Sequence, residues 1–249
     1  MEETTHKGYK EGRQRRDRAL EAMNFYDLSC VLYVNTRNIK GNIVTDLSRN
    51  RNNGTIYGAT AIKTKTKIIK HKNENIRTNK VFVFDGVNDY IDCGNNASLD
   101  FPTNDFTLEL WTKSDYTEKT GGLITKGDIN IKGYTLQQTG SAPFNWYFGV
   151  YDGTTFRQVN LPLYQTWDWS HIVCIKTNNH IEVWINGTKT GKFNGVIGDI
   201  SNPTKNLIIG RRGTYPSFNG TIDEFRIYNK ALTPTEILQK YNYMKDFYR

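Results

Sequence analysis

A site that cleaves a glycosidic bond needs two carboxylates facing each other across the sugar. On a sheet they are most simply displayed at alternate residues of one strand, so that both point to one face. The sequence has no Glu-x-Asp-x-Glu or similar run. Asp223 and Glu224 are adjacent and are expected on opposite faces of their strand, while Glu109 and Glu182 have no carboxylate two residues away. The four histidines, His6, His71, His171 and His180, show neither H-x-H nor H-x-x-x-H spacing, so no histidine metal site is indicated. A serine on a nucleophile elbow and a phosphate-cradling glycine loop are both lacking. The chain is therefore expected not to be an enzyme.

What remains is binding. A saccharide is recognised by an aromatic ring against its C–H face and a few fixed polar groups for its hydroxyls, usually on loops at one rim. Candidate rings are Trp146, Tyr147, Tyr151, Trp167 and Tyr215, with Asp128, Asn130 and Arg212 as polar partners. Trp146, Tyr151, Trp167, Arg212 and Tyr215 make up the expected ligand-binding set. Most of the aromatics must still fill a core, because one side of every strand has to be covered.

The elements that would position these residues are strands. From Asp27 the chain alternates Leu28, Cys30, Leu32 and Val34 with Ser29, Val31, Tyr33 and Asn35, the period of a half-buried strand. Phe106, Leu108 and Leu110 alternate with Thr107, Glu109 and Trp111 in the same way, and Phe225 and Ile227 with Glu224 and Arg226. Further strands are expected at 81–85, 89–93, 121–126, 134–138, 144–151, 156–161, 169–177, 181–186 and 207–210, separated by Gly-, Asp- and Asn-rich turns. A dozen strands suit two sheets packed face to face. After the last strand, Thr233 is a good N-cap, Pro234 suits the first helical position and Glu236 completes a capping box; Ile237, Tyr241 and Met244 would give a short closing helix one apolar side.

With 249 residues, 13 % aromatic and 21 glycines, the composition suits a single large β-sandwich. Residues 1–26 lack strand alternation and read as a polar, partly helical arm, either a flexible tail or a segment that docks on a neighbouring subunit; the domain proper is 27–249. No apolar run is long enough to span a bilayer, and the first residues lack a signal pattern, so no membrane insertion is expected. Cys30, Cys93 and Cys174 are expected to be reduced and buried. The net charge of +8 gathers in Lys63, Lys65, Lys67, Lys70, Lys72, Arg77 and Lys80, opposed only by Glu74. That stretch is either a guarded edge strand or a contact patch for an acidic partner; without interleaved aromatics, nucleic acid is not the expected ligand.

Three separated stretches carry a resemblance. "NGTIDEFRIYNKALTPTEI" (219–237), "DLSRNRNNGT" (46–55) and "FDGVNDYI" (84–91) resemble, in order, the closing signature, the opening loop and a central hairpin of the laminin-G-like jelly roll, the short concanavalin-A-like lectin sandwich. "WSHIV" (169–173) is similar to that family's W-x-H-V strand, which implies a structural His171. The resemblance implies an all-β, two-sheet antiparallel jelly-roll sandwich with a short C-terminal helix, beside the N-terminal arm. It also implies that the 46–54 loop helps hold Ca2+, with Asp46, Asn50 and Asp223 as the positions carried over. Arg49 and Arg51 stand where the family has glycine, and the alternative is a plain Asx turn built on Asp46 and Ser48. The function expected is a non-catalytic binding or assembly module, an exposed structural component of a virion or microbial surface made in the cytoplasm and assembled or released, with other copies or structural subunits as partners. The alternative is a free carbohydrate-binding lectin module that recognises surface glycans through rim aromatics.

Overall fold

The computed structural model describes residues 27–57, 63–71, 74–114, 121–128, 130–138, 146–161, 168–215 and 217–248. The expected arm at 1–26 and Trp167 lie outside these residues, as do the side chains of the basic stretch between 63 and 80. In chain order the strands are β1 (Cys30–Val34), β2 (Ile39–Lys40), β3 (Ile43–Val44), β4 (Gly54–Tyr57), β5 (Lys63–His71), β6 (Glu74–Asp85), β7 (Tyr90–Asp92), β8 (Phe106–Ser114) and β9 (Gly121–Thr125). They continue as β10 (Gly133–Gln138), β11 (Trp146–Tyr151), β12 (Phe156–Leu161), β13 (Ser170–Lys176), β14 (His180–Ile185), β15 (Thr188–Asn194), β16 (Ile208–Ile209) and β17 (Asn219–Tyr228). One helix, α1 (Pro234–Met244), follows.

Two antiparallel sheets result. The eight-stranded sheet runs β15-β14-β13-β8-β17-β6-β5, with β1 also paired to β17; the nine-stranded sheet runs β12-β11-β10-β9-β16-β7-β4-β3-β2. Between them lies the core: Phe106, Leu108, Leu110, Ile172, Cys174, Ile222, Phe225 and Ile227 from one sheet meet Ile91, Ile124, Tyr134, Leu136, Phe148 and Val150 from the other. The three cysteines are free and buried. Asn186 (φ 51°) and Gly187 (φ 78°) form the Asn-Gly turn that joins β14 to β15, a connection whose twist matches that of the flanking strands.

The closing helix forms as its cap predicts. The Glu236 backbone N–H donates to Thr233 Oγ1 at 3.3 Å and the Thr233 N–H donates to Glu236 Oε2 at 2.7 Å. Its apolar side lies on the outer face of the eight-stranded sheet, where Ile237 packs with Cys30, Tyr33, Val173, Ile175, Trp184 and Tyr228, and Tyr241 and Met244 pack with Trp111 and Tyr248.

Two strand readings need correction, both for the same reason. Asp223 and Glu224 do not point to opposite faces. The pairing of β17 with β8 shifts register between Asp223 and Arg226, with Glu224 in the left-handed region at φ 52°, so this bulge turns both carboxylates outward while Ile222 and Phe225 stay in the core. A second register shift, between Cys30 and Leu32 of β1, moves Cys30 out of the layer of Leu32 and Val34 and into the outer cluster with Tyr33.

Candidate functional site

The two carboxylates that the bulge turns outward are buried and not available for chemistry. Glu224 Oε2 accepts from Tyr33 Oη and Arg226 Nη2, each at 2.6 Å, and the Arg226 guanidinium lies over the Tyr33 ring at 4.1 Å. Asp223 Oδ2 accepts from Tyr248 Oη at 2.8 Å. Beside them, Glu109 Oε1 is 3.0 Å from His171 Nε2, Glu109 Oε2 accepts from Tyr228 Oη at 2.7 Å, and Lys240 of α1 donates to the same Tyr228 hydroxyl at 2.8 Å. Burial opposes ionisation of Glu109, but the Lys240 ammonium, the His171 hydrogen bond and the Arg226 charge together hold its carboxyl well below the usual range. These groups lie under the helix: Glu109 is 2 % exposed and His171 is fully buried. The cluster ties helix to sheet, the structural role the resemblance implied for His171.

The opposite outer face, on the nine-stranded sheet, is built differently. Strand alternation places Tyr147 outward between the inward Trp146 and Phe148, and register puts Gln137 directly between Tyr147 and Gly122. Over this rung lie Arg211 and Arg212, in the loop that follows β16. A Cβ on Gly122 would fall 2.8 Å from both the Cβ and the backbone N of Arg212, so glycine there lets the loop approach β9. The loop's base is pinned by Thr125 Oγ1 donating to the Arg211 carbonyl at 2.9 Å and by the Phe218 N–H donating to the Gly210 carbonyl at 2.8 Å.

Within that loop Arg212 is held side-on. Its Nε donates to Asp128 Oδ2 at 2.7 Å and its Nη2 to Asp128 Oδ1 at 2.5 Å, a two-point pairing that fixes the plane of the guanidinium. A turn closed by the Tyr215 N–H to the Arg212 carbonyl at 2.9 Å brings the Tyr215 ring to 4.7 Å from the guanidinium, and Tyr215 is 49 % exposed. Tyr147 completes the group: burial pushes its hydroxyl up to about 12 against the Arg212 charge, with Asp128 and Tyr215 adding to the rise. Tyr147 also meets Phe156 edge-on at 5.9 Å.

Of the expected ligand-binding residues, then, Arg212 and Tyr215 come together, with Asp128 as their polar partner. Trp146 does not reach this face: it is 4 % exposed and packs edge-on against Phe218 at 5.7 Å inside the sandwich. Tyr151 is half-buried at the far end of β11, its hydroxyl donating to the Gly153 carbonyl at 3.0 Å, and Asn130 is exposed in the turn after Asp128. Sequence reasoning missed a neighbouring stack. Tyr57 of β4 and Tyr90 of β7 are cross-strand partners with rings 4.7 Å apart and 7° from parallel, and Arg211 covers Tyr90 at 3.6 Å. The alternation of Tyr90 with core-facing Ile91 was the available signal for the tyrosine.

A model of the concanavalin A-like lectin/glucanases superfamily matches residues 85–238, more than half of the chain. The chain belongs to that superfamily. Mouse pappalysin-1 is similar to this superfamily member at 23 % identity over 168 residues, which covers 57 % of the chain and 10 % of pappalysin-1. The chain thus spans about a tenth of the length of that curated relative. Among solved structures, the receptor binding domain of botulinum neurotoxin D is similar at a TM-score of 0.65 and 16 % identity, covering 87 % of this chain and 53 % of that one. The binding domain of Paraclostridial Mosquitocidal Protein 1 is similar at a TM-score of 0.64 and 18 % identity, covering 86 % and 52 %. At such identities these likenesses show the lectin-like fold alone.

The calcium ion that the resemblance implied does not fit the residues present. Asp46 is fully buried, and its two oxygens already accept from the backbone N–H groups of Tyr33, Ser48 and Asn52 and from Ser48 Oγ, all at 2.7–2.8 Å. No lone pair is left for a metal. The backbone N–H of Asn50 donates to Ser48 Oγ at 3.2 Å, and Asp223 takes the Tyr248 hydroxyl. The arrangement is the Asx turn on Asp46 and Ser48. Among the described residues no group of three or more His, Cys, Asp or Glu is placed to hold a metal ion. Carbonyl oxygens that could serve a cation elsewhere already face ammonium groups: Lys126 Nζ donates to the carbonyls of Asn202 and Lys205 at 2.9 and 2.6 Å, and Lys176 Nζ to those of Thr103 and Asn104 at 2.9 and 3.1 Å.

Proposed function

We propose that this chain is a non-catalytic binding module that recognises a saccharide on the outer face of its nine-stranded sheet. The observation that carries this reading is Arg212, fixed by Asp128 and laid against the half-exposed ring of Tyr215. A ring for the C–H face of a sugar stands there beside immobilised donors for its hydroxyls, already ordered before a ligand arrives. Gln137 supports it: the residue is 1 % exposed, its Oε1 accepts from Thr135 Oγ1, and its Nε2 finds no acceptor in the floor below Tyr147 and Arg212. The carboxylates that could have argued for hydrolysis are engaged under α1 instead. The test is a glycan array followed by titration of retained saccharides against the chain and its Tyr215→Ala and Asp128→Asn variants. Loss of retention in both variants, with unchanged melting, is expected.

A second reading, that the chain is an exposed structural component of a virion or microbial surface, has one observation in its favour. The strand β5 ends the eight-stranded sheet and, among the described residues, pairs on one side only, with β6. An open strand edge is able to add a strand from another subunit. Sedimentation of the full chain, with and without residues 1–26, tests this: a large particle that the shortened chain cannot form would favour assembly.

A further inference from the structure

Two consecutive arginines leave the same loop and end in unlike situations. Arg212 has its Nε and Nη2 edge filled by the Asp128 carboxylate. Arg211 stacks on Tyr90, itself stacked on Tyr57, and its Nε is shielded from solvent with no acceptor. Among the described residues no carboxylate pairs with Arg211. The residue as a whole is partly exposed, and Tyr57 at the end of the stack is 43 % exposed. A guanidinium fixed on an aromatic face, anchored through its own carbonyl by Thr125 and, among the described residues, left without a counter-charge is arranged to accept an anion from outside.

We infer that Arg211 is an anion-receiving subsite beside the saccharide site, which takes the carboxylate of an acidic sugar such as a uronate. Arg212 and Asp128 already show the pairing geometry that such a carboxylate would adopt on a guanidinium edge. The ligand is a singly charged sugar unit rather than a polyphosphate, because Asp92 lies two residues along β7 from Tyr90 on the same face, and Asp128 flanks the other arginine. A dense anion would be repelled by both. The stack on Tyr90 and Tyr57 holds the guanidinium in place for the acidic unit, while Tyr215 serves its neighbour in the oligosaccharide.

This inference rests on the reading of Arg212 and Tyr215 as a saccharide site, and the experiment separates the two. The full chain is titrated with a glucuronate-containing tetrasaccharide and with the same compound after reduction of its carboxyl groups to alcohols. The acidic form is expected to bind roughly ten-fold more tightly, and the preference to shrink as salt rises. Arg211→Gln should abolish the preference and leave binding of the reduced compound intact; Arg211→Lys should retain part of it, because it keeps the charge without the planar fork. Tyr215→Ala should weaken both compounds. Equal binding of the two by the unaltered chain, or a preference that survives Arg211→Gln, overturns this inference alone. Failure of the chain to bind either compound overturns this inference, and the saccharide reading is then decided by the glycan array alone. Should Arg211→Gln melt early, Arg211→Lys decides: an undiminished preference refutes the two-point pairing.

Discussion

The two outer faces of this sandwich use the same residue types to opposite ends. On the eight-stranded sheet, Glu109, Glu224, Arg226, Lys240 and three tyrosine hydroxyls are paired with one another and sealed under α1. On the nine-stranded sheet, Asp128, Arg211, Arg212 and another set of tyrosines remain partly open, and two buried donors, Gln137 Nε2 and Arg211 Nε, have no acceptor. The helix-covered cluster also keeps buried atoms without a partner, Trp111 Nε1, His171 Nδ1 and Tyr243 Oη, but its charged groups are paired and sealed from any ligand, and such a cluster holds a fold together. One that keeps donors unspent beside an exposed ring is fitted to receive a ligand.

The contrast can be broken most forcefully at Glu109. Glu109→Ala would leave the Tyr228 hydroxyl without its acceptor and the Lys240 ammonium without its carboxylate partner under the helix, a loss on the order of 3–5 kcal/mol. Urea unfolding should show it as a fall in the transition midpoint, whereas saccharide retention by the still-folded fraction should be unchanged. Acid should act on the same cluster. The folded state holds Glu109 ionised to below its ordinary range, and Glu236 likewise, down to about 2. The unfolded chain therefore binds more protons as pH falls through the glutamate range. The stabilisation is complete above that range and lost progressively beneath it, so the urea midpoint should drop between neutrality and about pH 3. A smaller effect is expected at the helix entrance, where Thr233→Ala removes the cap and should cost about 1 kcal/mol. Smallest of all is the effect of a chelator. With Asp46 saturated by four hydrogen bonds, added chelator should leave the melting temperature where it was; a fall would mean that a bound cation stabilises the fold.

Much of the fold was legible because alternation and turn chemistry agreed. Phe106, Leu108 and Leu110 face inward as their spacing requires, and Thr233, Pro234 and Glu236 start the helix where their types predict. The sequence was silent where an extra residue breaks the period: nothing in Ile222-Asp223-Glu224-Phe225 announces that two successive residues will share a face. β15 was missed because Thr188–Asn194 is largely exposed and shows no alternation, being held by its pairing with β14. The site was half legible. Of the residues in the proposed site, Tyr215 and Arg212 stand in one Gly-containing loop and are named from the sequence. Trp146 was chosen over Tyr147 because Trp146-Tyr147-Phe148 is aromatic at every position, and only the neighbouring strands decide which ring faces the core. Arg211 needed the cross-strand stack of Tyr57 on Tyr90, a contact between residues far apart in the chain.

The measurement that bears most directly on the account is saccharide binding by the unaltered chain and by Tyr215→Ala, with melting temperatures taken on the same samples. The account predicts that the unaltered chain retains a defined set of glycans and that the variant loses them at an unchanged melting temperature. Retention of the same glycans by both proteins would place the site elsewhere, and retention of none by the unaltered chain would contradict the saccharide-binding function itself.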